Sequence, residues 1–134
     1  MKKTLTVLLV MLLVMLLAVS LSGCSRYSSS YHAVGFVHSN ESASACMDFF
    51  SFDGTMVFKL KCDAEAEGRL AYTGRLEEGR LQVYYDNGDG KTELFSLDPG
   101  GEVRAELPLE QGRVYIIVET DGECRNGGLE FEIN

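Results

Sequence analysis

The chain contains no tryptophan and only two histidines among its 134 residues. Two imidazoles, His32 and His38, are poor material for a histidine-based metal or catalytic centre. No Cys-x-x-Cys pair occurs, which removes the commonest zinc-ligand spacing. No metal and no cofactor is therefore expected. Cations are also scarce, with 12 Lys and Arg against 20 Asp and Glu and a net charge of −8 at pH 7. Nucleic acid is recognised through basic clusters that neutralise phosphates, so it is excluded as a partner. After residue 25 no amphipathic helical pattern appears, which excludes a helical bundle.

What the chain does have is a distinctive beginning. Lys2 and Lys3 precede an apolar run from Val7 to Val19, followed by Leu21-Ser22-Gly23-Cys24. A positive end, a short apolar segment and small residues before a cut site are the marks of a secretory signal. Thirteen residues rise only about 20 Å as a helix, short of the roughly 30 Å hydrocarbon core. Leu21-Ser22-Gly23-Cys24 resembles the lipobox of bacterial lipoproteins. That resemblance implies that the Cys24 thiol receives a diacylglyceryl group and that the signal, residues 1–23, is removed just before it. Two acyl chains, at about 0.8 kcal/mol per buried methylene, are enough for stable anchoring. The expected location is extracytoplasmic: the outer face of the cell membrane in a one-membrane bacterium, or the outer membrane or periplasmic side in a two-membrane one.

Loss of Lys2 and Lys3 with the signal leaves 10 basic residues against 20 acidic, a net charge of −10. Such a domain is expected to be repelled by anionic headgroups. Ser25-Arg26-Tyr27-Ser28-Ser29-Ser30-Tyr31 is polar and serine-rich, and residues 24–32 are expected to form a flexible tether that lets the domain stand off. Residues 33–134 then make one globular domain.

Within that domain the periodicity is that of strands. Met56, Phe58, Leu60 and Cys62 alternate with Val57, Lys59, Lys61 and Asp63, and Val103, Ala105 and Leu107, like Leu129, Phe131 and Ile133, alternate with charged residues. Leu81 to Tyr85 and Glu93 to Leu97 read as two more strands. Val114 to Val118 is apolar on both faces, the mark of a central strand. Asp53-Gly54, Asn87-Gly88, Asp89-Gly90, Pro99-Gly100, Asp121-Gly122 and Asn126-Gly127 read as hairpin turns between them. The fold class is all-β: a single antiparallel β-sandwich is favoured, with a small β-barrel as the alternative. The runs Gly112 to Val118 and Gly127 to Ile133 resemble the closing strand pair of small extracellular bacterial β-sandwich domains, which bears on fold alone.

Three cysteines remain beside Cys24, in a compartment where disulfides persist. If Ala43 to Phe52 hairpins onto Thr55 to Asp63 through Asp53-Gly54, one bulge sets Cys46 opposite Cys62, the preferred bridge. Cys124 is an alternative partner for either, and burial of all three as small apolar side chains is the plain competing expectation. Cys46 with His38 as thiol and base lacks a third, orienting group. Tyr85 to Gly90 resembles a calcium loop. Aligning Asn87, Asp89 and Gly90 to its third, fifth and sixth positions, however, puts Tyr85 and Ser96 where Asp and Glu are needed, and a solvated turn is expected. Glu65, Glu67, Glu77 and Glu78 read as a solvated edge.

No catalytic constellation emerges, so the expectation is a non-catalytic envelope module that binds a protein, a peptide or an envelope glycan. Tyr72, Tyr84, Tyr85 and Tyr115 are the candidate sugar-stacking platforms, in the absence of tryptophan. The alternative is a structural or accessory subunit of an envelope assembly, and an enzyme is a distant third. One residue tests the anchor. Cys24→Ala is expected to abolish incorporation of radiolabelled palmitate and to leave full-length precursor on a gel; normal processing of the variant overturns it.

Overall fold

The computed structural model describes residues 2–22, 27–63 and 68–134. Cys24, Glu65 and Glu67 lie outside the described residues. An α-helix, α1, covers Lys2–Ser22, and its side chains from Leu5 to Leu13 are exposed. Seven strands follow: β1 Ser30–Val34, β2 Val37–Asn40, β3 Ser44–Cys62, β4 Gly68–Asp86, β5 Thr92–Leu97, β6 Gly101–Leu109 and β7 Gly112–Ile133. All pair antiparallel in one sheet.

Three of these strands, β3, β4 and β7, run for 19, 19 and 22 residues, far beyond the ordinary length of about five or six, and they bend together at mid-length. β7 lies between β3 and β4 along its whole course. On one side of the bend the order is β2-β3-β7-β4-β6; on the other it is β1-β3-β7-β4-β5. The sheet folds over so that its two halves face each other as the layers of a sandwich. Aromatic contacts across the interior document this. Phe58 of one layer meets Phe131 of the other with ring centroids 6.2 Å apart, and Phe95 meets Phe131 at 6.4 Å. Tyr72 stacks on Phe95 at 5.1 Å and 5°. The fold class expected from the periodicity is thus the one found.

The bend also explains why the strands read as shorter pieces. In β3 the buried set changes from odd-numbered residues (Ala45, Met47, Phe49) to even-numbered ones (Phe52, Met56, Phe58, Leu60). β4 changes from Leu70 and Leu76 to Leu81 and Val83, and β7 from Val114, Ile116 and Val118 to Leu129 and Phe131. A bulge shifts the alternation by one and bends the strand, so each phase break looks like a strand end. Register shifts fall between Phe52 and Thr55 and between Glu78 and Arg80.

Several expectations are corrected here. Asp53-Gly54, Asp121-Gly122 and Asn126-Gly127 are not hairpin turns; they lie within β3 and β7 at the bend. Asn87 to Gly90 and Pro99-Gly100 do connect strands, β4 to β5 and β5 to β6. Glu77 and Glu78 belong to β4, an interior strand, at its bend rather than on an edge. The segment expected as a tether is docked from Tyr27 onward. Ser30, Tyr31 and His32 pair with Thr55, Gly54 and Asp53, and the Ser29 hydroxyl accepts the Val57 N–H at 2.9 Å.

Glycine is required where the layers turn. Gly79 has φ +93°, and a Cβ there would stand 2.8 Å from both Cα and Sγ of Cys124. Gly79→Ala is expected to cost about 2 kcal/mol or more in urea unfolding, combining backbone strain with overpacking. Gly88→Ala, at φ +113° with open space around it, should cost only the backbone part, about 1 kcal/mol. Equal losses would show that the close approach at the bend does not matter.

Candidate functional site

The outward-facing positions of the β2-β3-β7-β4-β6 layer form a groove. Register places them in rows across the sheet. One row runs Val37, Asp48, Gly128, Arg75 and Glu102; the next runs Ser39, Cys46, Glu130, Thr73 and Arg104. A cavity of about 830 Å³ covers these two rows. It is continuous at one end with a cavity of about 450 Å³, through Val37, Asp48 and Arg75, and at the other with one of about 530 Å³, through Thr73, Arg104 and Glu130. From Phe50 to Ser44 along β3 the groove extends about 20 Å at 3.3 Å per residue.

Its chemistry is mixed along this length. At one end Phe50 and Val37 are 56% and 70% exposed, side by side with Gly35. In the middle Arg75 Nη2 donates to Asp48 Oδ1 at 3.1 Å, crossing above Gly128. Gly128 makes this crossing possible, since a Cβ there would come within 3.2 Å of Asp48 Oδ1 and 3.4 Å of Arg75 Nη2. Beyond lie Arg104, Glu130 and Glu106, the last 3.4 Å from Arg69. These pairs are exposed and contribute at most about 1 kcal/mol each to stability. They leave wet donors and acceptors spaced along a concave floor.

The tyrosines singled out from sequence do not make this site. Tyr72 is stacked against Phe95, and Tyr85 packs on the core. Tyr84 carries Lys91 over its ring at 4.3 Å, and Tyr115 is covered by Tyr27 at 5.5 Å. None offers a bare ring to the groove; the exposed aromatic there is Phe50. Its signal was present in the pair Phe49-Phe50, where strict alternation allows only one to be buried. Asp86 is 2% exposed and builds the turn expected at the calcium-like segment. Its Oδ1 accepts the N–H groups of Gly88 and Gly90 at 2.8 and 3.2 Å, and its Oδ2 accepts the Tyr27 hydroxyl at 2.7 Å.

No family model and no curated protein matches the chain. Among solved structures, it is similar to TmCBM61 in complex with β-1,4-galactotriose (17% identity, 82% of this chain and 83% of that one, TM-score 0.46). The pre-peptidase C-terminal domain of the Bacillus anthracis collagenase matches at 13% identity, 72% and 91% coverage and TM-score 0.48. A family 29 carbohydrate-binding module matches at 13% identity, 81% and 89% coverage and TM-score 0.36. Similarity of this degree says nothing about ligand or activity.

Cys46, Cys62 and Cys124 are free thiols. The preferred Cys46–Cys62 bridge is not formed, because the hairpin that would bring them together is a continuous strand. Cys46 sits opposite Glu130 and Cys62 opposite Gly112, at the two ends of β3. Cys46 faces the groove, its Sγ 3.0 Å from Ser39 Oγ. His38 pairs with Met47, so its ring points to the other side of the sheet and stacks on Phe36 at 4.8 Å. The thiol–imidazole pair considered from sequence is therefore not assembled. Cys124 is fully buried at the bend with its Sγ 3.2 Å from the Arg80 carbonyl. Burial pushes its thiol up to about 11, reinforced by the carboxylates of Asp53 and Asp121, so it stays protonated at neutral pH. Of these three thiols, iodoacetamide is expected to modify only Cys46 in the folded protein, with Cys62 and Cys124 reacting only in denaturant. Mass spectrometry that finds Cys124 alkylated first would contradict this arrangement.

Proposed function

We propose that this protein is a lipid-anchored, non-catalytic binding module of the bacterial cell envelope, and that its groove takes a segment of an extended glycan. The observation that carries the ligand class is the groove's construction. Its floor strands β3, β7 and β4 are hydrogen-bonded on both sides, so they offer side chains and no free backbone edge to a ligand. Peptides that bind sheets do so chiefly by adding a strand to an open edge. A sugar chain has hydroxyls that both donate and accept, and ring faces that pack on an aromatic side chain. Asp48, Arg75, Arg104 and Glu130 supply the first need and Phe50 the second.

The anchor side of the proposal rests on Lys2, Lys3, the apolar run and Leu21-Ser22-Gly23-Cys24. It is also supported by α1, whose leucines, valines and methionine from Leu5 to Leu13 are exposed. Acylation at Cys24 would place the module outside the cytoplasmic membrane, where envelope glycans are its neighbours.

Retention of the purified protein on isolated cell-wall polysaccharide, followed by calorimetry with oligosaccharides released from it, is the direct test. Loss of a charged hydrogen-bond partner costs about 1.5–3 kcal/mol, so Arg75→Ala is expected to weaken binding about tenfold or more. Phe50→Ala should weaken it comparably, and Gly128→Val should block it by filling the floor. If no wall fraction retains the protein and it instead co-purifies in fixed ratio with an envelope protein, the accessory-subunit reading replaces this one.

A further inference from the structure

We propose that the outer face of the β1-β3-β7-β4-β5 layer, at the end bearing Lys59, Lys61 and Arg113, rests directly on anionic phospholipid headgroups. This rests on acylation at Cys24. The first observation is where the chain is fixed. Tyr27 donates to Asp86 at 2.7 Å and packs on Tyr115 at 5.5 Å, while Ser29 accepts the Val57 N–H. Only Ser25 and Arg26 separate Tyr27 from Cys24, a reach of about 10 Å at full extension. A nine-residue tether would let the domain stand clear of the bilayer; this one holds it against the surface.

The second observation is the charge at that point. β1 runs antiparallel to β3, with Ser30 opposite Thr55, so the upstream chain heads along β3 toward Lys59 and Lys61. Lys59 is opposite Tyr115 and Lys61 is opposite Arg113 in register. All three cations are exposed, and among the described residues Lys59 and Arg113 have no ion-pair partner. Lys61 meets Asp63 at 3.5 Å, an exposed pair that a lipid phosphate can replace. Nearer the bend, Lys91 is engaged by Glu119 at 2.7 Å, so it serves as an internal reference.

A cation beside an anionic bilayer is attracted only modestly. Against the −10 of the mature chain that would not recruit the domain from solution. With acyl chains already holding it, three such contacts need only choose an orientation. Tyr115 and Tyr27 add rings suited to the interfacial zone. The glycan groove is on the outer face of the opposite layer, so this orientation turns it away from the membrane.

The test uses the full-length, processed protein purified from membranes, with its intact mass read first. It is placed in vesicles of phosphatidylcholine alone or phosphatidylcholine with phosphatidylglycerol, and lysine acetylation is followed residue by residue. Lys59 and Lys61 are expected to react several-fold more slowly on the anionic vesicles, with Lys91 unchanged and the difference erased by high salt. Arg113→Glu should reduce the protection while leaving thermal unfolding unaltered. Equal rates at Lys59 and Lys61 on both vesicles in acylated protein overturn this proposal and leave the anchor intact. A mass without lipid overturns both.

Discussion

β7 is paired on both sides for most of its length, and it must bend halfway. From that pairing the rest of the molecule follows. A strand of 22 residues would extend about 70 Å if straight, with one sheet face left in water. Bending at Asp121-Gly122, in concert with β3 at Asp53-Gly54 and β4 at Gly79, brings the two inner faces together. Phe58, Phe95 and Phe131 then bury each other across the gap, and burial of large aromatics is the dominant favourable term available to so acidic a chain. Ile116, Ile117 and Val118 are all buried, because the middle strand is covered on both faces.

Function is distributed by the same bend. Folding one sheet over itself produces two outer faces with different surroundings. One carries β2 and β6 at its margins and becomes a concave groove of charged and polar side chains with an apolar lip. The other receives the incoming chain at Tyr27, which seals Asp86 and Tyr115 beneath it. The proposed attachment face and the proposed ligand face thus lie on opposite sides of the sandwich.

Much of the architecture was legible in the residues. Alternation located β5, β6 and the outer segments of β3, β4 and β7, and the double-sided apolarity of Val114 to Val118 marked the central strand. What escaped was continuity. Each bulge inverts the alternation, and glycine next to an acidic residue is as suitable for a bend inside a strand as for a hairpin. The first half of β4 went unseen for a related reason: Gly68, Gly74 and Gly79 interrupt it, yet Gly74 is demanded by packing, since a Cβ there would stand 2.8 Å from Leu129 and 3.2 Å from Leu97. The error at Cys46 and Cys62 descends from the same source, a turn assigned where the strand continues. Residues 27–32, expected to be flexible, dock instead, because serine, which favours flexible linkers, also supplied through Ser29 a hydroxyl for the Val57 N–H of β3.

By itself the sequence determined the all-β class, the acidic balance and the lipobox-like start. Each of these is written in local composition and short-range pattern: period-two alternation, counts of charge, and residues adjacent in the chain. The groove, the isolation of the three thiols and the docking of Tyr27 were decided only by the tertiary structure. They depend on register between residues far apart in the chain, as where Ser44 faces Glu132. A shift of one residue in that register turns every side chain to the opposite face. No local pattern encodes such a shift, and the bulges at the bend introduce it.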